Sequence, residues 1–251
     1  MDALRPAPRK ALEMYFCCYA ALPLLAVVLA AQQPNFYSLE NEAALGRQLA
    51  LELRRRTTSL NDPTVNEYVE RLGLRISGHT RDSRLPFHFS VMKDDPCPAT
   101  HEPVALPGGY IFLPAALFLE AHDEAEFAGM LAHSMEHIAR RHVTRLASVS
   151  GNMPLLFVGG WNGGCGDTPL GFVATQRRNE LDADSAAIET LARADFDARA
   201  FVRYIERVET DDIGRVAAMQ PLIQKLYVSG YEVPSGDFVA IHREVLRLIL
   251  E

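Results

Sequence analysis

The chain has 251 residues, 48% of them hydrophobic, and a formal net charge of −7. That length and apolar content build one full core, or one core with small additions. The acidic balance and the lack of a basic tract argue against nucleic acid as a partner, and no internal repeat or low-complexity run is present.

The N-terminus has the pattern of a targeting segment. Arg5, Arg9 and Lys10 precede an apolar run from Met14 to Ala31 that only Pro23 interrupts, and Leu29-Ala30-Ala31 offers small residues for a signal-peptidase cut near Gln32. The run also reaches the lower edge of a membrane-spanning length. Residues 1–31 are therefore expected to be a cleaved signal peptide or an uncleaved anchor associating with the membrane through 14–31. Either way, residues 32–251 are expected as a single exported domain, in the periplasm or on the outer face of the cytoplasmic membrane. Cys17 and Cys18 lie inside the apolar run, whereas Cys97 and Cys165 belong to the mature part. In an oxidising compartment those two either pair or remain separate thiols.

Ser38 caps a helix whose first turn carries Glu40 and Glu42. Its apolar side is read as Ala44, Leu45, Leu49, Leu51 and Leu53, before Arg54-Arg55-Arg56. Asp62-Pro63 starts another, with Val65, Tyr68, Val69, Leu72 and Leu74 at helical spacing up to Gly78. Phe87 to Met92 alternates as a strand does, Pro103 to Leu106 makes a second, and Tyr110 to Leu113 a third after the Pro107-Gly108-Gly109 turn. The expected small antiparallel sheet either covers one side of the neighbouring helix or offers an edge to an extended peptide. Pro114 to Ala121 is a short helix, and Asp123 with Glu126 forms a capping box for the next. Residues 151–171 form a Gly-rich loop around Trp161, read as a rim of the site, a lipid-touching surface or a connector. Helices follow from Val173 to Ala194, from Asp197 to about Glu209, and from Ser235 or Asp237 to the C-terminus. The fold class is α+β, mainly helical, with a small sheet.

Within the helical pattern after Asp123 stands His133-Ser134-Met135-Glu136-His137. One turn of helix separates the two histidines, so both imidazoles share a face and can hold one zinc ion. The second position of this motif ordinarily carries a glutamate that serves as general base; here it is Ser134. Glu136 lies on the other side of the metal direction and is the candidate substitute. A catalytic zinc needs a third protein ligand. Glu180, in Arg177-Arg178-Asn179-Glu180-Leu181-Asp182-Ala183-Asp184, can supply it. Asp184, one turn on, can then reach a ligand histidine's free N–H. Small Ala183, Ala186 and Ala187 permit the close helix packing this requires.

The order Leu106-Pro107-Gly108-Gly109-Tyr110-Ile111, His133-x-x-x-His137 with His142, and Arg177-x-x-Glu180-x-x-x-Asp184 resembles the gluzincin metallopeptidases. It is similar to the CAAX-prenyl-protease-like family, in the branch of the bacterial heat-shock membrane protease and the periplasmic β-barrel-assembly-enhancing protease. The likeness runs from about Ser38 to Glu209, and no tetratricopeptide repeat accompanies it. The resemblance implies a zincin-like fold, one Zn2+ per chain and cleavage of peptide bonds in proteins; the sheet edge described above is where an extended substrate is expected. It implies His133, His137 and Glu180 as ligands and Asp184 behind them; His142 matches a family histidine but lies off the ligand face, and is read as a structural hydrogen-bonding residue. Many relatives carry a downstream histidine motif that stabilises the oxyanion; here Tyr231 and His242 are the candidates. Two functions remain open: a zinc metalloendopeptidase of the cell envelope serving protein quality control, or a zinc-binding pseudopeptidase acting as chaperone or adaptor.

Overall fold

Ser38, Asp62, Asp123 and Asp197 each accept a hydrogen bond from a backbone N–H in the turn that follows, so four helices start at the predicted caps. These four belong to a computed structural model that describes residues 34–95, 101–150, 173–209, 213–226 and 236–251. The segment 1–31, Cys97, Cys165, the Gly-rich stretch 151–171 and Tyr231 lie outside the described residues.

The elements are α1 (Leu39–Arg56), α2 (Pro63–Ser77), β1 (His88–Met92), β2 (Val104–Leu106), a 3-10 turn (Pro107–Gly109), β3 (Tyr110–Pro114), α3 (Ala115–Glu120), α4 (Glu124–Ala139), α5 (His142–Ser150), α6 (Val173–Arg193), α7 (Ala198–Val208), α8 (Ile213–Lys225) and α9 (Gly236–Leu250). Phe36–Glu251 forms one compact unit. None of the described helices is long and apolar enough to cross a membrane.

Helix α4 is the centre of the core. Phe127, Met130, Leu131, Ala132 and Met135 are buried on it, against α6, α7 and α2. Each fully buried large apolar side chain contributes about 1.5–3 kcal/mol. Small residues set how near the neighbours come. Ala183, Ala186 and Ala187 of α6 are buried, and a Cβ added at Gly129 would stand 2.6 Å from Cβ of Phe201 on α7. The Asp123 cap accepts from Glu126 N at 2.8 Å, while Glu126 Oε2 accepts from His122 N at 2.9 Å. The reciprocal bond of the expected box thus lands one residue earlier.

Three features differ from the sequence reading. The sheet is mixed: β3 is central, with β2 antiparallel to it and β1 parallel. The 3-10 turn folds β2 back on β3 as a tight hairpin, so β1 can pair only on the other side of β3, where it runs in the same direction. Gly109 makes that turn feasible, because its φ is 98° and a Cβ there would meet the Pro86 carbonyl oxygen at 1.9 Å. Leu51 of α1 and Leu74 of α2, both read as apolar core positions, are 54% and 71% exposed; the buried side of α1 is Glu42, Gly46, Ala50 and Leu53, and that of α2 is Val65, Tyr68, Val69, Leu72, Gly73 and Ile76. Finally, the helical pattern through the histidines is two helices. Arg141 adopts a left-handed φ of 58°, which ends α4 and turns the chain into α5.

Candidate metal centre

The full turn of α4 between His133 and His137 puts their Nε2 atoms 3.1 Å apart. Glu180 Oε2, from α6, lies 3.3 Å from each of them. Zinc bonds of about 2.0–2.1 Å in tetrahedral arrangement separate ligand atoms by about 3.3–3.4 Å, so this triangle has the dimensions of a zinc face. Glu180 Oε2 is buried and makes no well-formed hydrogen bond, as a carboxylate oxygen suited to a cation does. Burial would push His133 down, but the carboxylates of Asp184, Glu102 and Glu180 outweigh it and hold the imidazole well above its ordinary value. Burial would raise Glu180, yet His137 and His133 keep it well below the usual glutamate range. The donor set fits a small divalent cation.

Each histidine is oriented from behind. His133 Nδ1 faces Asp184 Oδ1 at 2.9 Å, within reach but bent from a straight hydrogen bond. Asp184 is fully buried and receives both prongs of Arg215, from Nε and Nη2, each at 2.7 Å. Burial would raise the Asp184 pKa, but Arg215 and His133 lower it. An ionised carboxylate can only accept, so Asp184 keeps a proton on His133 Nδ1, and a cation displacing the proton on Nε2 would find that nitrogen facing the triangle.

His137 is held by a different chain of groups. Its Nδ1 lies 3.3 Å from His142 Nδ1, His142 Nε2 lies 3.1 Å from Asp182 Oδ2, and Arg140 Nη1 donates to Asp182 Oδ1 at 2.7 Å. Burial, helped by the nearby His137, pushes His142 down to about 3, so its ring is neutral at neutral pH. The one ring proton then sits on Nε2, donated to Asp182; Nδ1 accepts from His137, and the His137 Nε2 lone pair also points at the triangle. The left-handed Arg141 is what returns His142 to this position.

Comparison with known proteins bears on what this arrangement is. A family model described as peptidase family M48 matches residues 60–244, a range that contains every residue of the triangle and of both relays. The chain belongs to peptidase family M48. A Vibrio cholerae serotype O1 protein named as a beta-barrel assembly-enhancing protease is 30% identical over 189 residues, which is 68% of this chain and 38% of that one. The beta-barrel assembly-enhancing proteases of Escherichia coli strain K12 and of Yersinia pestis are 28% identical over the same shares. The matched part thus spans well under half the length of these curated relatives.

In this M48 domain the remaining sequence-derived candidates sit as follows. Ser134 is 1% exposed and its hydroxyl donates to the Met130 carbonyl at 3.0 Å, one turn back along α4. Glu136, the candidate substitute base, is buried in another network: Thr190 Oγ1 donates to it at 2.7 Å, and Arg81 N and Arg140 Nε each at 3.3 Å. It ties the segment after α2 to α4 and α6, and the fold does not bring it to the triangle. His242 stands on α9, which buries Phe238, Ile241 and Val245 and packs mainly on α3 and α2. Among the described residues it is not part of the cluster.

Two participants escaped the sequence reading. Arg215 lies on α8, a helix not predicted at all because Pro221 breaks its pattern. Glu102 Oε1 lies 3.0 Å from His133 Nε2, and the four atoms from Glu102, His133, His137 and Glu180 all fall within 4.8 Å of one another. Its one sequence signal is an acidic residue just ahead of the short strand leading into Pro107-Gly108-Gly109.

Proposed function

We propose that this M48 chain is a zinc-dependent metalloendopeptidase of the cell envelope that hydrolyses peptide bonds in proteins. The observation that carries the reading is the triangle of His133, His137 and Glu180, whose spacing and lone-pair directions suit one zinc per chain. Asp184 and His142 hold the two rings in the required tautomers. Zinc bound there would polarise the scissile carbonyl and acidify the attacking water.

The protein's own part is to position the substrate. β2 is an edge strand beside α4, and an extended peptide adding to it would pass the triangle with its backbone hydrogen bonds satisfied. Export follows from the basic start and the apolar Met14–Ala31 run, with 1–31 as signal or anchor and 32–251 as the exported domain. The relatives are named for enhancing beta-barrel assembly, and the role we propose for this chain is envelope-protein quality control.

A second reading, a zinc-binding pseudopeptidase that holds unfolded envelope proteins as chaperone or adaptor, is favoured by one observation. Neither Ser134 nor Glu136 presents a base to the triangle, the first being hydrogen-bonded to Met130 and the second to Thr190, Arg81 and Arg140. The deciding experiment uses the purified full chain with measured zinc content and a denatured protein substrate. Cleavage abolished by a zinc chelator and restored by zinc supports the enzyme. Substrate binding without cleavage at one zinc per chain supports the second reading.

A further inference from the structure

We propose that Glu102 is the general base of this centre, supplying from a loop the carboxylate that position 134 lacks. The proposal rests on the peptidase reading above. Peptide hydrolysis needs a carboxylate that touches the attacking water without being committed to another cation. Asp184 is gripped by Arg215, Asp182 by Arg140 and His142, Glu209 by Arg215, and Glu136 by Thr190 and Arg140. Glu180 is part of the triangle itself. Glu102 remains.

Its position is that of a base more than that of a ligand. Oε1 touches His133 Nε2 at 3.0 Å but makes no comparable contact with His137, whereas Glu180 is equidistant from both. Glu102 therefore stands on the His133 side of the triangle, its oxygen within 4.8 Å of all three triangle atoms. Its side chain is 31% exposed, so water reaches it, while Asp184 is fully enclosed. The approach is set by its neighbour: His101 has a left-handed φ of 52° and its Nδ1 contacts Asp95 Oδ2 at 2.5 Å. Glu102 also lies two residues before edge strand β2, with only Pro103 between, which puts it next to a peptide paired there.

In the proposed step, Glu102 Oε1 takes a proton from the attacking water as the water oxygen bonds to the scissile carbonyl carbon. Glu102 then gives that proton to the amide nitrogen as the C–N bond breaks. One water is consumed, one carboxyl and one amine product form, and Glu102 returns ionised.

The test compares the wild-type full chain with Glu102→Gln and Glu102→Asp, reading zinc affinity by chelator competition, thermal unfolding, and kcat on a denatured protein substrate. Glu102→Gln is expected to keep wild-type zinc affinity and lose about 10²–10⁴ in kcat. Glu102→Asp, which keeps the charge on a shorter arm, is expected to fall between. A zinc affinity lowered about 10–100-fold or more in Glu102→Gln makes Glu102 part of the metal shell and overturns the proposal. Wild-type kcat in Glu102→Gln overturns it while leaving the peptidase reading intact. A zinc-loaded wild type that cuts nothing ends both, and the affinity data then report separately whether Glu102 touches the metal. If Glu102→Gln unfolds, a folded Glu102→Asp with kcat below wild type at unchanged zinc affinity supports the proposal, and one with wild-type kcat overturns it.

Discussion

Arg215 and Asp184 form a two-pronged ion pair inside the protein, both bonds at 2.7 Å, and through it α8 braces the carboxylate that faces His133. Removing the guanidinium leaves a buried charge without its partner, which typically costs about 3–5 kcal/mol. Arg215→Met is expected to lower the melting temperature accordingly and to weaken zinc binding by about 10–100-fold, because the His133 ring loses its orienting group. Adding Asp184→Asn should recover stability but not zinc affinity. Equal recovery of both would show that Arg215 acts on stability alone.

Metal loading should be visible as stability. A ligand that binds only the folded state at about 100 times its dissociation constant adds about 2.7 kcal/mol. Zinc is expected to raise the melting temperature of the wild type and to leave His137→Ala and Glu180→Ala unmoved, with metal analysis giving one ion per wild-type chain and none in the variants. A wild type that retains no zinc after loading would dismiss the triangle as a metal site.

Ser134 makes one hydrogen bond, to its own helix, so Ser134→Ala should change stability by no more than about 1 kcal/mol and leave hydrolysis as it was. Ser134→Glu is more telling in the Glu102→Gln background. There it returns a carboxylate to the α4 side of the triangle, and kcat is expected to rise by about two decades. No rise, with zinc still bound, would mean that the buried side chain at 134 cannot reach the water.

Acid stability can be traced to Asp197. Burial would raise its pKa, but the Arg199 side chain and backbone N–H outweigh that and lower it. A depressed folded pKa gives stability that is present above the ordinary aspartate value of about 3.9 and is lost as the pH falls through the lower folded value. Asp197→Asn, which removes the charge, should cost less than about 1 kcal/mol at neutral pH, since the pair is partly exposed. The difference from wild type should vanish in strong acid. Denaturant midpoints across the acid limb check this, and a difference that persists at the lowest pH would assign the effect to packing.

Gly129→Ala adds a methyl where Phe201 already stands at 2.6 Å. The expected cost is about 1–3 kcal/mol, read by urea unfolding, with α7 displaced from α4.

His133, His137, Glu180 and Asp184 were legible in the sequence because helical spacing alone puts each pair on one face, and alanines opposite them allow the two helices to meet. Ser38, Asp62, Asp123 and Asp197 were legible because a short polar side chain before an apolar period has one common use. What could not be read depends on tertiary placement. Alternation marks His88–Met92 as a strand but does not say on which side of β3 it pairs. Leu51 looks apolar in a list of leucines, yet the side of α1 that faces the sheet is defined by Gly46 and Ala50. A continuous helix would carry His142 about 140° around from His137. Only the left-handed backbone at Arg141, which no residue type announces, restores the contact. Glu102 sits in a loop, where periodicity has nothing to say.

The brevity of β2 bears on selectivity. Three residues at about 3.3 Å each give an edge roughly 10 Å long, and alternate side chains of any strand laid along it face opposite ways. A peptide added there would be gripped by its main chain over that short distance while offering only one or two side chains for inspection. An edge used in that way would sort its clients by whether a stretch of chain can be pulled straight, and would be nearly indifferent to which amino acids the stretch contains.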